Sequence, residues 1–553
     1  MTTALETSNP PIQPAPHIAS IASEDEEKQS HVDPNRNVGT LNRNLKSRHI
    51  QFLALSGAIG TGLFVGSGQI LSLAGPLSAF LAYAITGFNL FCIMQSLGEM
   101  SSYLPVSGAV PVYAARFVDD ALGFVLGWNY WYQLAIGVPI ECVVGAIVIK
   151  YWEGARGIPD AVLVTILFIA MVLTNLFPVR WYGELEFVFG AIKLTTILGL
   201  IILMLVITLG GAPTGDRIGF RYWENPGAML TYLLPGNLGR FLAFWKVFIQ
   251  ATFAYGGSEM VVIAAGEAEN PRRNIPRAIR RVFWRILIFY VLAIFLVGMC
   301  VSATDPHLLN AIDKSAPGAA ASPFVIAIQN GGIKVLPGII NAVILTSAWS
   351  AGNSFFYAST RVLYSAALDG KAFRILTWEK FGVPYACVAI TTALGCLVYL
   401  NVSSDSSEVF FWISNLSAVS TLLVWGSISI TYLRFYAGLK YNSIARSSLP
   451  FRGPCQPYLA WFSLCFCSIV AFFNGFDAFF PGKFSAKTFV PPYIDIPIFA
   501  SLFIGYKLIK GTKFVGVSQM DFWSGKGRID ELEGTWVEPV PRNFFERVWM
   551  WIA

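Results

Sequence analysis

Four charged side chains lie inside stretches of apolar residues, where an ionised group is costly and usually serves a function. They are Lys193, Glu141, Glu259 and Glu99. Lys193 follows about eight residues of its apolar stretch, a helical rise of about 12 Å, which is awkward for an ammonium group that must reach water. Removal from water favours the neutral form of a lysine, so Lys193 is predicted to gain and lose a proton near neutral pH.

The three acidic residues have several roles open to them. Glu259 could hold the ammonium group of a ligand, carry a proton or support the neighbouring backbone. Glu141 could carry a proton or pair with another helix. Glu99 lies at the end of its apolar stretch, which favours an interfacial, structural role. The proton-coupling candidates are therefore Lys193, Glu141 and Glu259.

Two apolar stretches, residues 51–73 and 241–265, are each interrupted near the middle by residues that expose the backbone. A peptide group in hydrocarbon needs a hydrogen-bond partner, so a membrane-spanning helix is broken only where the break lines a cavity. Matched breaks in two halves of a polytopic protein indicate a transport site at the bilayer midplane. The candidate binding residues are Ser56, Gly57, Ala58, Ile59, Gly60, Thr61 and Gly62 in the first break, and Phe253, Tyr255, Gly256, Gly257, Ser258 and Glu259 in the second.

The two ends of a broken helix offer complementary partners to a zwitterion. The downstream half begins with unpaired N–H groups, which favour an anion, and the upstream half ends with unpaired carbonyls, which favour a cation. A free α-amino acid satisfies both sets, and the rings of Phe253 and Tyr255 could close over it. Glycine lets the backbone approach such a ligand. The alternative is that the glycines permit close helix–helix contact, but two clusters in register favour the binding site.

The composition is that of a polytopic membrane protein. Of the 553 residues, 55% are hydrophobic and 13% are charged, against about 25% charged in an average soluble domain. Twelve apolar stretches of roughly 20 residues are each long enough to cross the hydrocarbon core. Their approximate centres are Gly62, Asn89, Leu134, Phe168, Ile197, Phe253, Ala293, Ser350, Thr392, Leu422, Ile469 and Phe503.

Several other classes of function lack the residues that they need. The eight cysteines have no metal-ligand spacing, and the four histidines lie outside the apolar stretches, which argues against a metal site or an intramembrane enzyme. The net charge of +6 is not concentrated in a basic run of the kind that nucleic-acid binding needs. No cofactor and no nucleic-acid partner are expected.

Charge and symmetry predict the topology. Lysine and arginine concentrate in alternate loops, most strongly in residues 272–285, and this bias places both termini in the cytoplasm. Residues 1–48 are polar and are predicted to be a disordered cytoplasmic tail, residues 49–511 to form the transporter domain, and residues 512–553 to form a cytoplasmic C-terminal tail. The broken spans are the first and the sixth, the spacing of a five-plus-five inverted repeat followed by two further helices.

A set of short motifs is highly specific when taken together. The motifs are Arg48-His49-Ile50-Gln51, Gly57-Ala58-Ile59-Gly60-Thr61-Gly62-Leu63-Phe64, Gly127-Trp128-Asn129-Tyr130, Ala265-Gly266-Glu267-Ala268-Glu269-Asn270-Pro271-Arg272, Gly352-Asn353-Ser354, Ala358-Ser359-Thr360-Arg361 and Leu449-Pro450-Phe451-Arg452. With them the chain, from about Arg48 to Lys513, resembles the fungal amino acid permeases of the amino acid–polyamine–organocation superfamily.

The resemblance implies an all-α membrane fold of twelve helices with helices 1 and 6 broken, residence in the plasma membrane and proton-driven uptake of α-amino acids. It also implies a division of labour within the site. The carboxylate would bind at Gly60, Thr61 and Gly62, and the ammonium group at carbonyls near Ala58, Phe253 and Gly256. Lys193 matches the family lysine proposed for proton coupling, and Glu141 and Glu259 match family acidic positions.

The resemblance further implies cytoplasmic lysines that ubiquitin ligases or endocytic adaptors use, for which Lys28 and Lys46 are available. Two positions depart from the family pattern. Tyr432 stands where many relatives have histidine, and Gly256 replaces a commonly bulkier apolar residue, which could widen the pocket for the substrate side chain.

These observations predict a multi-pass carrier that imports an α-amino acid with a proton by alternating access. Two alternatives stay open. The same fold could carry a polyamine, choline or γ-aminobutyrate, although a polyamine or choline has no carboxylate for the N–H groups of Thr61 and Gly62. The chain could also be a nutrient receptor that signals without net transport.

Overall fold

The computed structural model describes residues 60–106, 108–177, 179–260, 262, 271–313, 322–402 and 406–524, together with 526, 527, 530 and 543. Within these ranges the chain is helical and has no β-strand, apart from one isolated bridge between Lys380 and Val383. The all-α fold class is therefore confirmed.

The first half of the described chain contains eleven α-helices of very different lengths. They are α1 Thr61–Phe64, α2 Gly66–Tyr103, α3 Ala109–Phe117, α4 Asp120–Ala135, α5 Gly137–Ile149, α6 Asp160–Asn175, α7 Val179–Thr208, α8 Gly236–Lys246, α9 Phe248–Tyr255, α10 Pro271–Arg285 and α11 Ala293–Cys300. A π-helical segment, Ile286–Leu292, joins α10 to α11.

The second half adds eight more α-helices. They are α12 Pro306–Asp313, α13 Pro323–Asn330, α14 Leu336–Leu368, α15 Tyr385–Gly395, α16 Ser406–Tyr441, α17 Tyr458–Phe473, α18 Ala486–Tyr493 and α19 Asp495–Lys510. Each of the twelve centres predicted from the sequence lies inside one of the nineteen helices described.

Six helical segments of the described chain are long and apolar enough to cross a membrane, and α18 with α19, bent by 45°, would make a seventh. Burial separates central from peripheral segments. In the apolar part of Asp120–Ile149, 83% of the residues are buried, whereas 33% are buried in that of Tyr182–Thr208. The outer face of α7 exposes Ile202 and Leu205, as a helix in contact with lipid should.

Gly75 divides the longest helix, α2, into two parts. Its backbone has φ +83° and ψ 170°, which is not helical, and Pro76 follows it. Glycine is required there, since a positive φ is strained for other residues and an added Cβ would lie 2.9 Å from the carbonyl oxygen of Ala228. An unbroken helix of this length would far exceed the bilayer thickness. The break at Gly75 divides α2 into a short segment before it and a longer helix after it.

The chain after α19 returns to the helical bundle. The N–H of Val515 donates to the carbonyl of Val118 at 2.8 Å, and the Arg434 side chain donates to the carbonyl of Val515. Phe522 is completely buried against the rings of Phe117 and Phe435, at centroid distances of 5.2 and 5.5 Å. Residues 515–522 therefore form a packed C-terminal segment on the end of the bundle where α3 ends.

Candidate functional site

The second predicted break is visible in the structure as the end of helix α9. The helix stops at Tyr255, Gly256 is extended with φ −56° and ψ 143°, and Gly257 has φ +82°. Residues 256–259 form turns before helical geometry resumes at Met260. An added Cβ at Gly257 would lie 2.6 Å from the ring of Phe355 on α14, so both the conformation and the packing require glycine.

The first break is described only from Gly60 onward, and Ser56, Gly57, Ala58 and Ile59 lie outside the described residues. Gly60 is extended, with φ −125° and ψ −159°, and helix α1 begins immediately after it at Thr61. The first N–H groups of α1 therefore point toward the break, where a helix start leaves such groups without intrahelical partners.

The two breaks meet through their backbones. A Cβ atom added to Gly62 would lie 2.5 Å from the Cα of Ala254, which immediately precedes the end of α9. Such a distance is shorter than two carbon atoms tolerate, so residue 62 has to be glycine. This contact is of the small-residue kind that brings membrane helices close together, and it also puts the beginning of α1 beside the end of α9.

Glu141 on α5 is hydrogen-bonded to the first break. The Thr61 hydroxyl donates to its Oε1 atom at 3.0 Å, and an added Cβ at Gly60 would lie 3.0 Å from the same oxygen. Glu141 is 2% exposed, and among the described residues its Oε2 atom has no hydrogen-bond partner. An acidic side chain is thus held directly against the start of α1.

Lys193 on α7 is 1% exposed and interacts electrostatically with Glu141 and Glu186. Lys193 and Glu141 were both predicted to take part in proton coupling, and the structure brings them together. Glu186 was not singled out from the sequence. It is also 1% exposed, and it accepts hydrogen bonds from Ser350 Oγ at 2.8 Å and from Asn353 Nδ2 at 3.4 Å.

A helical pattern could have indicated Glu186. It precedes Lys193 by seven residues, which is close to two helical turns and places both on the same face. Glu184 lies two residues earlier, on a different face, and is exposed. The cluster of Glu141, Lys193 and Glu186 thus contains two acidic groups and one basic group, buried behind the first break.

Glu259, the third proton-coupling candidate, has a different set of partners. It is completely buried and accepts hydrogen bonds from Gln133 Nε2 at 3.0 Å and from Trp425 Nε1 at 3.3 Å. Tyr130 interacts with it electrostatically, and among the described residues the Tyr130 hydroxyl has no hydrogen-bond partner. Glu259 therefore joins the second break to α4 and α16.

The aromatic candidates at the second break face different surroundings. The Tyr255 ring lies between Tyr83 and Tyr290, at centroid distances of 5.8 and 4.4 Å, and its hydroxyl donates to the Tyr83 carbonyl. Phe253 is half-buried and contacts the Phe410 ring edge-on. Ser258 donates from its hydroxyl to the Tyr255 carbonyl at 2.8 Å, which stabilises the turn.

Glu99 lies in a buried polar cluster at the end of α2. It pairs with Arg446 at 2.5 Å, and accepts hydrogen bonds from the Tyr432 hydroxyl at 2.6 Å and from the Gly453 N–H at 2.8 Å. Tyr432 therefore belongs to this cluster. The contacts of Glu99 join the loop after α16 to α2, and its structural role stays a prediction.

Comparison with known proteins agrees with this architecture. Residues 49–519 match the amino acid permease family. The chain is 42% identical over 514 residues to a proline-specific permease of Emericella nidulans, covering 92% of this chain and 93% of the relative. It is 43% identical over 521 residues to a proline-specific permease of Saccharomyces cerevisiae, covering 92% and 83%. A dicarboxylic amino acid permease of Saccharomyces cerevisiae is 41% identical over 496 residues, covering 89% and 81%.

The family predicted from the motifs is thereby confirmed. The match to the family covers most of the chain, the relatives align over most of their own lengths, and the described helices include apolar segments of membrane-spanning length. The chain belongs to the amino acid permease family and is a multi-pass membrane transporter of amino acids.

Proposed function

We propose that this permease imports neutral α-amino acids, proline among them, together with a proton across the plasma membrane. The observation that carries the proposal is the contact of the two interrupted helices at Gly62 and Ala254. The same region has Glu141 hydrogen-bonded to Thr61, so a buried acidic group adjoins the place where a zwitterion would be held.

The proposed head-group site uses the backbone. The N–H groups at the start of α1, from Gly60 to Gly62, would bind the carboxylate, because a helix start favours an anion. Carbonyls at the end of α9, including those of Phe253 and Gly256, would accept from the ammonium group. Residues 56–59 lie outside the described residues, and their contribution stays a prediction.

Proton coupling is assigned to Lys193 and Glu141. Because both are buried and interact electrostatically, a change in the charge of one alters the stability of the charge on the other. A substrate at the first break would lie beside Glu141, so substrate binding would change the affinity of Glu141 for a proton. Glu259 is the second acidic candidate, acting through the turn that follows Gly257.

The proposed substrate class rests on the side chains around the second break. Phe253 and Phe355 are apolar, and an added Cβ at Gly256 would lie 3.3 Å from the Thr421 hydroxyl oxygen, so the side chains closest to Gly256 and Gly257 are uncharged. Such surroundings suit an uncharged side chain, since a buried charge needs a partner. Two relatives named for proline are 42% and 43% identical, and one named for dicarboxylic amino acids is 41% identical. Identity alone therefore does not select the substrate.

The proposed topology has twelve spans, with spans one to five and six to ten as inverted repeats and two helices appended. It is supported by the helices found at all twelve predicted centres, by the interruption after Tyr255 and by the extended backbone of Gly60 before α1. Both termini would be cytoplasmic. Ubiquitin ligases or endocytic adaptors would act at the tails, where Lys28 and Lys46 lie outside the described residues.

Uptake into lipid vesicles that contain this protein alone tests the proposal. Vesicles acidic outside are expected to accumulate labelled proline above its outside concentration, and to stop when a protonophore removes the pH difference. Excess neutral α-amino acid should compete, whereas its methyl ester should not. Competition by a polyamine, choline or γ-aminobutyrate in place of α-amino acids would contradict the substrate class, and absence of any flux would favour a receptor.

A further inference from the structure

The acidic residue that the sequence did not indicate, Glu186, lies between Lys193 and a cavity at one end of α7. This inference rests on the proposed proton coupling and names the route by which the proton leaves. We propose that Glu186 is a proton relay, which takes the proton from Lys193 and passes it to water in the cavity.

The first part of the route runs along a single face of α7. Tyr182, Glu186 and Lys193 are spaced by four and seven residues, so all three lie on one side of the helix. Side chains in a helix lean toward its N-terminus, which directs the long Lys193 side chain toward Glu186. Both residues are buried, and their electrostatic interaction links them.

The second part of the route connects Glu186 to the cavity. The cavity is small, with room for about one water molecule, and its lining includes Thr174, Asn175, Tyr182, Tyr357, Thr360 and Arg361. Asn353 donates to Glu186 and accepts hydrogen bonds from Asn175 at 2.7 Å and from Thr174 at 2.9 Å. The carboxyl group of Glu186 is therefore separated from the cavity wall by one hydrogen-bonded side chain.

The cavity lies on the side that the proposed topology assigns to the cytoplasm. It is reached at the start of α7 and near the end of α14, where Arg361 stacks on the Tyr357 ring at 5.1 Å and donates to the Gly382 carbonyl. The loop after α14 carries Lys371, Arg374 and Lys380, and an excess of basic residues marks a cytoplasmic loop. A proton released into this cavity would thus leave toward the cytoplasm.

The proton transfer is balanced at each step. The ammonium group of Lys193 gives its proton to the carboxylate of Glu186, which leaves a neutral amine and a neutral carboxylic acid. The acid then gives the proton to a water molecule that enters from the cavity past Asn353 and reaches the carboxyl group. Glu186 becomes a carboxylate again, which Ser350 and Asn353 stabilise by donating hydrogen bonds.

Among the described residues, the groups named around Glu186 do not offer an equivalent relay. On its own helix it faces Lys193 and Tyr182. Helix α14 presents the uncharged Ser350 and Asn353 to it, and carries Tyr357 and Arg361 farther along at the cavity. Glu141 on α5 lies beyond Lys193, on the side of the first break. Glu186 therefore supplies the carboxyl group between the Lys193 amine and the cavity.

The variant Glu186→Gln tests the relay in vesicles loaded with a pH indicator. It keeps the size of the side chain but cannot carry the proton. Proton-driven accumulation and proton release inside the vesicle are expected to fall by about 100-fold, the usual effect of a positioned proton-transfer group. Exchange of labelled for unlabelled substrate, which needs no proton release, should stay near the rate of the unmutated protein. Glu184→Gln is the matched control, because Glu184 is exposed on the same helix.

Glu186→Asp keeps a carboxyl group and is expected to restore part of the accumulation. If Glu186→Gln accumulates substrate like the unmutated protein, the relay is wrong while coupled uptake stands. If it loses exchange as well, Glu186 positions the binding site and the relay is again wrong. If the unmutated protein shows no proton-driven accumulation, the proposed coupling fails, and the relay fails with it.

Discussion

At the scale of single residues, Thr61 joins the first break to the buried charges. Its hydroxyl donates to Glu141 on α5, and Glu141 interacts with Lys193 on α7. The Glu141 side chain on α5 thus connects α1 with α7. We expect a change in the charge of its carboxyl group to alter the hydrogen bond at the start of α1.

Thr61→Val removes this hydrogen bond without changing the size of the side chain. We expect the uptake rate at low substrate concentration to fall about tenfold or more, because an unsatisfied buried acceptor costs about 1–3 kcal/mol. Thr61→Ser keeps the hydroxyl group and should stay close to the unmutated rate. Initial uptake rates at several substrate concentrations measure the difference, and equal rates for the two variants would exclude a role for the hydroxyl group.

Lys193→Ala removes the cation between Glu141 and Glu186. We expect this variant to reach the cell surface normally but to lose concentrative uptake, since the ammonium group that would pass the coupled proton to Glu186 is removed. Lys150→Ala is the control, because Lys150 lies at the end of α5 in an ion pair with Asp160. The steady-state ratio of inside to outside substrate is the measurement, and accumulation against a gradient by Lys193→Ala would remove Lys193 from the coupling mechanism.

Sequence reasoning found Lys193 and Glu141 because a charge in the middle of an apolar stretch is conspicuous. It missed Glu186, since this residue follows the polar Glu184 near the start of its helix and has the appearance of an interfacial charge. Which of two neighbouring acidic residues faces inward depends on the rotation of α7. That rotation is set by contacts with Ser350 and Asn353 on α14, which a single sequence does not reveal.

At the scale of elements, the interruption after Tyr255 could be predicted and the contact that it makes could not. The pair Gly256-Gly257 predicts a break in the helix, because glycine tolerates the positive φ found at Gly257. The approach of Gly62 to Ala254 joins residues almost two hundred positions apart. Only the packing of whole helices determines such a pair.

Gly62→Ala tests this contact. An added methyl group would lie 2.5 Å from the Cα of Ala254, so the two helices have to separate, at a cost of about 1–3 kcal/mol. We expect transport to be lost and the protein to unfold at a lower temperature. Gly66→Ala, four residues farther along the same segment, is the control, because nothing lies within 4 Å of its added Cβ. Normal transport by Gly62→Ala would show that the close approach is dispensable.

At the scale of the whole molecule, the packed C-terminal segment of residues 515–522 joins the end of α3 to α16. Val515 bonds to Val118, Arg116 donates to the Ser524 carbonyl, and Phe522 fills a site lined by Phe117 and Phe435. Arg272 on α10 forms an ion pair with Asp530 at 2.5 Å. The sequence suggested only a cytoplasmic C-terminal tail here, because isolated aromatic residues after the last span carry no periodic pattern.

Phe522→Ala is expected to destabilise the bundle by about 3–5 kcal/mol, the usual cost of removing a buried phenylalanine ring. The midpoint of thermal unfolding of the detergent-purified protein should fall accordingly. Trp523→Ala is the matched control, since the neighbouring tryptophan is 61% exposed and its removal should leave the midpoint almost unchanged. Equal midpoints for the two variants would mean that the segment does not stabilise the bundle.

The meeting of Gly62 with Ala254 has an evolutionary consequence. Under the proposed assignment, the groups that hold the charged head of the substrate belong to the backbone, and their separation is set by this one main-chain contact. Substitutions of surrounding side chains can therefore exchange one specificity for another without rebuilding the head-group site. Sequence divergence within the family can then change the residues that contact the substrate side chain while the head-group site is kept. This agrees with the nearly equal identity of this chain to relatives named for proline and for dicarboxylic amino acids.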